Sequence, residues 1–489
     1  MNIEELSEFA RKKGFFWTSS EIYGGFTGFY DYGVNGTLLK RKFEHIWRKY
    51  FLNLNDNFYE IEPSDIMPEK VFIASGHITN FVDPVAKCRK CGTQHRADHI
   101  LEDFLKRNFE GITAEELTKL IKDNRIVCPK CKGELADVKP LVMMFPLAVG
   151  AEGDIKAYLR PETAQGAYVN FLRHFNILRS KLPLGLAVIG KAYRNEISPR
   201  NLTTRMREFT QAELQIFFDP NKLDEHERWN EVKNYKVILY PVSQRGKKTI
   251  TLSCEEVVKK LKLPKFYVWH LAKVQQFYLE ILKIPETKFR FKELSEDERA
   301  FYNKIHWDIE LELESLGGFK EVGGVHYRGD YDLSGHEKIS KESHKIFFDN
   351  KKFIAHVLEL SFGVDRNIYA LIELFYRKEK DRAVLGLPAN LAPFQLAVFP
   401  LVNKGNLDKL AKDVYETLKK DFDAVYDDSG SIGKRYYRED ERGTFFAITV
   451  DYDTLKTDDV TVRFRDTTKQ IRVKIKELNK TLMQLVSSN

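Results

Sequence analysis

Apolar residues recur along the chain in two periods, and the elements they predict mark out its parts. Leu39, Phe43, Ile46, Trp47, Tyr50, Phe51 and Leu54 fall at helical spacing, one broad apolar stripe on a long helix. Phe58-Tyr-Glu-Ile-Glu-Pro63 then reads as a strand. Thr113 to Lys122 predicts a short amphipathic helix that opens on a capping box, with Thr113 and Glu116 three apart. The runs Leu184 to Ile189 and Leu214 to Phe218 are short, apolar and bounded by turn signals, so they read as the strands of an antiparallel hairpin. Between them lies a long loop carrying Arg194, Glu196, Arg200, Arg205, Arg207 and Glu208 around the turn formers Pro199 and Asn201. Further on, a glycine-rich piece from Leu316 to Leu333 precedes a helix that runs through Leu374. The prolines of Leu387 to Pro393 make a linker. Beyond it a strand (Phe394 to Leu401), an amphipathic helix (Leu407 to Lys420) and a strand (Phe445 to Val450) predict a small α/β domain.

A chain of 489 residues holds two or three such units. No apolar run approaches the roughly 20 residues a membrane helix needs. Met1-Asn-Ile-Glu-Glu-Leu-Ser-Glu8 lacks a basic leader region, so a cytoplasmic protein is expected. Lysine and arginine exceed aspartate and glutamate only mildly, 78 against 71, which permits a polyanionic partner without requiring one. Local clusters say more. Lys434, Arg435, Arg438 and Arg442 lie near Tyr436 and Tyr437, and Arg463, Arg465, Lys469, Arg472 and Lys474 near Phe464. Bases interleaved with aromatics favour nucleic acid, because the rings can stack on unpaired bases.

Four of the five cysteines form two pairs, Cys88-Arg-Lys-Cys91 and Cys128-Pro-Lys-Cys131. A two-residue gap lets both thiolates of a knuckle face one ion, and two knuckles complete a tetrahedral four-sulfur zinc site. The long separation between the pairs implies an insertion with a helix of its own. Cys254 is left over and is expected to be buried. The charged hairpin loop carries the other chemistry. Guanidiniums are planar forks that never lose their charge, which suits a polyphosphate, and interleaved carboxylates can orient them. Two apparent nucleotide motifs are rejected: Glu337-Lys-Ile-Ser-Lys341 has no His-x-Gly-His partner, and Gly430 to Lys434 lacks the spacing of a phosphate-binding loop.

Arg194-x-Glu196, a loop, Arg205-x-Arg207-Glu208-Phe209 and then Ala212-Glu213 resembles motif 2 of the class II aminoacyl-tRNA synthetases. The wording is most similar to the glycyl-tRNA synthetases of the archaeal and eukaryotic type. Lys13 to Gly33 resembles that family's opening signature, and Arg160-Pro-Glu-Thr-Ala-Gln-Gly166 matches its substrate-loop motif. Glu359-Leu-Ser-Phe-Gly-Val-Asp-Arg366 resembles motif 3, the helix and strand up to Pro63 resemble motif 1, and Leu391 to about Leu485 resembles the anticodon-binding domain.

The resemblance implies an α+β class II catalytic domain, an antiparallel sheet flanked by helices, with insertions and a C-terminal α/β anticodon-binding domain. Its expected parts are residues 1–83 with motif 1, a zinc-binding insertion at 84–140, 141–218 with motif 2, a second insertion at 219–290, 291–386 with motif 3, and 391–489. The second insertion is rich in lysine and is a candidate contact for the acceptor arm of tRNA. The implied reaction is ATP-dependent attachment of glycine to tRNA(Gly) through a glycyl-adenylate, by a homodimer joined through the motif 1 helix. The runner-up is a synthetase for another small amino acid.

By the same resemblance, Arg194, Glu196 and Arg366 are the catalytic residues, with Arg194 on the α-phosphate, Glu196 accepting from the adenine amino group and Arg366 covering the nucleotide's other side. Asn195, Thr204, Arg205, Met206, Arg207, Glu208, Phe209, Glu321, Val322, Gly363, Val364 and Asp365 complete the implied ATP set. Arg205 would reach the terminal phosphates, Phe209 would stack beneath adenine, and Glu321 would bind Mg2+. Glycine would be held by Glu162, Phe209, Thr210, Gln211, Ala212, Glu213, Arg328, Glu359, Leu360 and Ser361, with the glutamates on its ammonium and Ser361 forming part of a wall against alanine. One departure stands out. Where the family reads Ala-Asp-Arg, this chain reads His326-Tyr327-Arg328, which leaves the adjoining pocket wall unassigned.

Overall fold

The structure is a computed structural model and describes residues 1–107, 109 and 112–487. Its centre is a nine-stranded sheet. The strands are β1 (Phe58–Glu60), β2 (Leu184–Tyr193), β3 (Glu208–Phe218), β4 (Lys236–Tyr240), β5 (Ile250–Ser253), β6 (Phe289–Glu293), β7 (Ile305–Leu313), β8 (Gly318–Gly329) and β9 (His356–Gly363), in the order β5-β4-β6-β7-β8-β9-β3-β2-β1. Neighbours are antiparallel except β1 with β2 and β4 with β6. The predicted hairpin is β2–β3, paired from Leu184↔Phe217 to Tyr193↔Glu208, with the charged loop at its open end.

Alternation along these strands separates two kinds of surface. On β3, Ala212, Leu214, Ile216 and Phe218 enter the main hydrophobic core, while Gln211, Glu213 and Gln215 turn to the other face. The core face is covered by helices α1 (Val34–Phe51) and α3 (Val364–Phe375). On α1, Leu39, Phe43, Trp47 and Phe51 recur every four residues and are fully buried. Trp47 and Phe51 meet Phe362 of β9 at ring-centroid separations of 5.8 and 4.8 Å. Leu39, Phe43, Trp47 and Phe51 of the stripe are thus packed inside the chain, and Ile46 and Tyr50 are partly buried. Arg41, His45 and Lys49 occupy the exposed side of α1.

The segment 219–290 is built onto the central sheet. It supplies β4 and β5 to the edge of the central sheet, and Val237, Leu239, Val257, Tyr267 and Trp269 join the main core. Its lysines lie largely on outward faces, so composition concealed a period that the burial makes plain. The cysteine-bearing insertion has its own core around Ala97, Leu101, Leu117 and Ile121. Its predicted helix spans Ala114–Asp123, and the Thr113 capping box is present.

The C-terminal domain is a five-stranded sheet of β10 (Leu396–Pro400), β11 (Ala424–Tyr426), β12 (Phe446–Val450), β13 (Asp459–Phe464) and β14 (Gln470–Lys474), ordered β11-β10-β12-β13-β14 around a separate core. Its basic clusters divide. Arg463 pairs with the buried Asp440 at 2.8 Å, Arg465 donates to the Gly443 carbonyl, and Arg435 donates to the Asp428 and Gly430 carbonyls. These three are buried, so they hold the fold together. Lys434, Tyr437, Lys469, Arg472 and Lys474 are exposed. No helix among the described residues is long and apolar enough to cross a membrane.

Candidate active site

The polar face of β3, β9, β8 and β7 builds one cleft by register. One cross-strand row runs Gln215, Glu359, His326 and His306, and the next runs Glu213, Ser361, Gly324 and Asp308. The motif 2 loop and the start of α3 close the other end, so the cleft is lined by Glu162, Glu213, Glu359 and Ser361 on one side and by Arg194, Glu196, Arg205, Phe209, Glu321 and Arg366 on the other. Helix α2 (Ala164–Ile177) begins within the Arg160 to Gly166 motif, and Glu162 stands just ahead of its N-cap, Thr163. That motif is anchored by buried Arg160, whose guanidinium donates to the Lys191 carbonyl at 2.8 Å and pairs with Asp65 at 2.8 Å. Gly166 is required there, because a Cβ would lie 2.3 Å from Pro63.

Three carboxyls, Glu162, Glu213 and Glu359, face this first side of the cleft, and each is held differently. Glu162 accepts from Gln165 at 2.8 Å and lies 3.5 Å from His77. Glu213 accepts from the hydroxyls of Thr163 and Ser361, the latter at 2.9 Å. Glu359 accepts from Gln215 at 3.1 Å and from Arg328 at 2.8 Å. Arg328 is wholly buried behind them, pairs also with Asp332 at 2.8 Å and Glu162 at 3.4 Å, and lies 3.8 Å under the Tyr302 ring. Burial pushes Glu359 up to about 8 against the opposing pull of Arg328. Burial and the neighbouring Glu162 charge also raise Glu213, whereas at Glu162 the upward push of burial is overcome by Arg328, His77 and Gln165 acting together, which hold it well below the usual carboxylate range. Such a cluster of acids at one small site suits a cationic ligand.

At the other end, the Arg194 guanidinium lies between two rings, 5.4 Å from Phe81 and 5.2 Å from Phe209, and donates to the Pro161 carbonyl at 3.1 Å. Glu196 is gripped by Arg205 through Nε at 2.8 Å and Nη2 at 2.7 Å. Arg366 donates to the Thr204 carbonyl at 3.0 Å and pairs with Glu321 at 2.8 Å. Flat rings beside fixed guanidiniums, on a loop that also offers backbone groups, can accept a base and its phosphates.

Thr204, Met206, Thr210, Gln211, Gly363 and Asp365 also line the cleft. Asp365 is a junction, accepting the Tyr32 hydroxyl at 2.6 Å and the Thr210 amide. Several expected residues lie elsewhere. Ala212, Leu360 and Val322 alternate onto the core face, and Val364 is buried in α3. Asn195 is tied by its amide to the Met143 carbonyl, and Glu208 pairs outside with Lys191 at 3.0 Å. Arg207 is pinned to the carbonyls of Glu196 and Thr27 at 3.0 and 2.8 Å. Thr203, Tyr302, His306, Gly323, Gly324 and His326 line the cleft and were not anticipated. The His326 departure was the one signal in the sequence that could have found them.

The four paired cysteines converge. Their sulfurs all lie within 4.8 Å of one another, with Cys88–Cys131 at 3.5 Å and Cys91–Cys128 at 3.7 Å. A tetrahedron with metal–sulfur bonds of about 2.3 Å has edges of roughly 3.8 Å, so the four thiols could hold one ion.

Comparison with known proteins agrees with this geometry. Residues 148–375 match the tRNA synthetase class II core domain (G, H, P, S and T), and residues 395–485 match the anticodon binding domain. The glycine–tRNA ligase of Thermococcus kodakarensis is 42% identical over 564 aligned positions, covering 99% of this chain and 98% of that protein. The ligase of Pyrococcus horikoshii is 41% identical over 99% and 98%, and that of Methanocaldococcus jannaschii 37% identical over 97% of each. Among solved structures, a prolyl-tRNA synthetase from Cryptosporidium parvum complexed with halofuginone and AMPPNP superposes with a TM-score of 0.59 at 15% identity, over 99% of this chain and 77% of that one, a likeness of fold alone. With a class II core, an anticodon-binding domain and full-length relatives well above 30% identity, the chain belongs to the glycine–tRNA ligases of the class II aminoacyl-tRNA synthetases.

Proposed function

We propose that the cleft joins glycine to ATP and then passes the glycyl group to tRNA(Gly). A glycine carboxylate oxygen attacks the α-phosphorus, the bond to the β-phosphate oxygen breaks and pyrophosphate leaves. The terminal hydroxyl of tRNA next attacks the glycyl carbonyl, and AMP departs. Neither step needs covalent help from the protein, so positioning and charge neutralisation carry the rate. The observation that carries this reading is the convergence of Glu162, Glu213 and Glu359 on one end of a cleft whose other end presents Arg194 and Phe209.

In this reading the three carboxyls take the ammonium, Arg194 takes the α-phosphate and Arg366 takes the nucleotide's far side. Ser361 orients Glu213 through its hydroxyl and is a positioning group. Glu321 lies half exposed at the rim and offers the oxygen ligand that Mg2+ prefers, and one carboxylate with substrate phosphates suffices for that ion. The anticodon-binding domain supports recognition of tRNA, and a role in charging tRNA supports a cytoplasmic place of action. Incubation with tRNA(Gly) transcript, labelled glycine and ATP should give acid-precipitable glycyl-tRNA. No product with an active preparation would overturn the reading.

The pH dependence has a definite sign. As pH falls through about 8, Glu359 takes up a proton and loses the charge that attracts the ammonium. The KM for glycine should therefore rise on the acid side, by up to about tenfold per pH unit, and level off above that range. Glu359→Gln should raise the KM and flatten this profile. An unchanged slope in the variant would assign the titration to another group.

Zinc suits the four-cysteine site, since thiolate ligands at this spacing favour it and all four positions would be filled by protein. Cys88, Cys91, Cys128 and Cys131 would then hold the insertion's shape without touching substrate. Metal analysis should give about one zinc per chain, lost in the Cys88→Ser, Cys128→Ser double variant. A homodimer remains part of this reading on the strength of the family. Sedimentation at micromolar protein should give twice the chain mass of 57.1 kDa, and a single-chain mass would remove it.

A further inference from the structure

The row Glu213, Ser361, Gly324, Asp308 has one gap, and the gap is Gly324. Glu213 and Ser361 in it carry polar side chains into the cleft, and Asp308 is buried against His306. The space above Gly324 is already taken. A Cβ built there would lie 2.5 Å from His326 Nε2 and 3.3 Å from His306 Nε2, so both imidazoles lean over the glycine from the adjacent row.

These rings are locked. Asn303 places its amide nitrogen 3.3 Å from His306 Nδ1 and 3.1 Å from His326 Nδ1. On the other side of each ring, His306 Nε2 is 3.0 Å from Asp308 and His326 Nε2 is 3.6 Å from Glu359. Donation by the Asn303 amide to both Nδ1 atoms makes them acceptors and puts each ring's proton on Nε2, which faces a carboxyl. One amide group supplies the two hydrogens they need. The rings stand 4.1 Å apart, centroid to centroid, and have little freedom to move aside.

We propose that His326, braced by His306 and Asn303, is a specificity-determining residue of the amino-acid pocket, its imidazole filling the space over Gly324 that a side chain larger than glycine's would need. The inference rests on the proposed glycine site. With the ammonium among the carboxyls and the carboxylate turned toward Arg194, the substrate's α-carbon passes over Gly324. A methyl group on that carbon meets His326.

The test is ATP–pyrophosphate exchange with glycine and with alanine. Wild-type exchange with glycine secures the underlying reading, and its absence would fail that reading and not this one. His326→Ala should raise the alanine-to-glycine ratio of kcat/KM by about 10- to 100-fold, the range one methyl group commands. Adding Gly324→Ala to that variant puts a methyl back in the gap and should lower the ratio again by about tenfold. A ratio within about twofold of wild type in His326→Ala, or no reversal in the double variant, overturns the proposal. A second measurement needs no variant. Alanine should fail to compete with glycine in the wild-type enzyme, and competition at concentrations near the glycine KM would show that the pocket admits the methyl and overturn it equally.

Discussion

Arg194→Ala should lower glycine-dependent ATP–pyrophosphate exchange by about 10²–10³, the loss that follows removal of one fixed charge donor from a developing negative centre. The magnitude rests on how Arg194 is held. Its guanidinium lies between the rings of Phe81 and Phe209 and is fixed to the Pro161 carbonyl, so little reorganisation is needed when charge builds on the α-phosphate. The effect should fall on kcat and leave the KM for glycine nearly unchanged, since the ammonium site is at the cleft's other end. Arg194→Lys should recover little, because an ammonium neither fits flat between two rings nor keeps the fork. Near wild-type exchange in Arg194→Ala would place the reacting phosphate elsewhere.

The second large effect is on stability. Arg328 is fully buried and neutralises Glu162, Asp332 and Glu359, so Arg328→Ala strands three carboxyls without their counter-charge. Breaking a buried ion pair from one side costs about 3–5 kcal/mol, and here the arginine serves three partners. Unfolding by urea should show a loss of at least that order. The loss should shrink as pH falls, because stranded carboxyls that take up protons no longer repel. Arg328→Lys should fall between, having charge but no fork. A variant within about 1 kcal/mol of wild type would mean that the carboxyls already share protons and that Arg328 is dispensable to the fold.

What the sequence disclosed follows from what is local. The β2–β3 hairpin, the capped helix after Thr113 and the strand–helix–strand start of the C-terminal domain all rest on short periods and were legible. So were the residues of the motifs that line the cleft. Alternation within those same motifs is legible too, and it sets their single neighbours on the opposite face: Ala212, Leu360 and Val322 follow cleft residues by one position and so turn into the core. The sequence could not disclose cross-strand register. His326 lies 20 residues beyond His306 and 23 beyond Asn303, and only the pairing of β7 with β8 brings it to them. Charge was the least readable signal. Arg435, Arg463 and Arg465 look like an RNA-binding cluster in one dimension, but they are folded inward onto Asp440 and backbone carbonyls. The apolar stripe of α1 shows a helix with one wide apolar face, but its width alone does not tell a large core from an interface.

The most direct test of the account is ATP–pyrophosphate exchange by the purified chain, run with each of the twenty amino acids in turn without tRNA. Three carboxyls around one small site, with His326 closing the space over Gly324, predict exchange with glycine and none above background with alanine, serine or proline. Exchange with another amino acid at a rate comparable to glycine's, or with none, would contradict it.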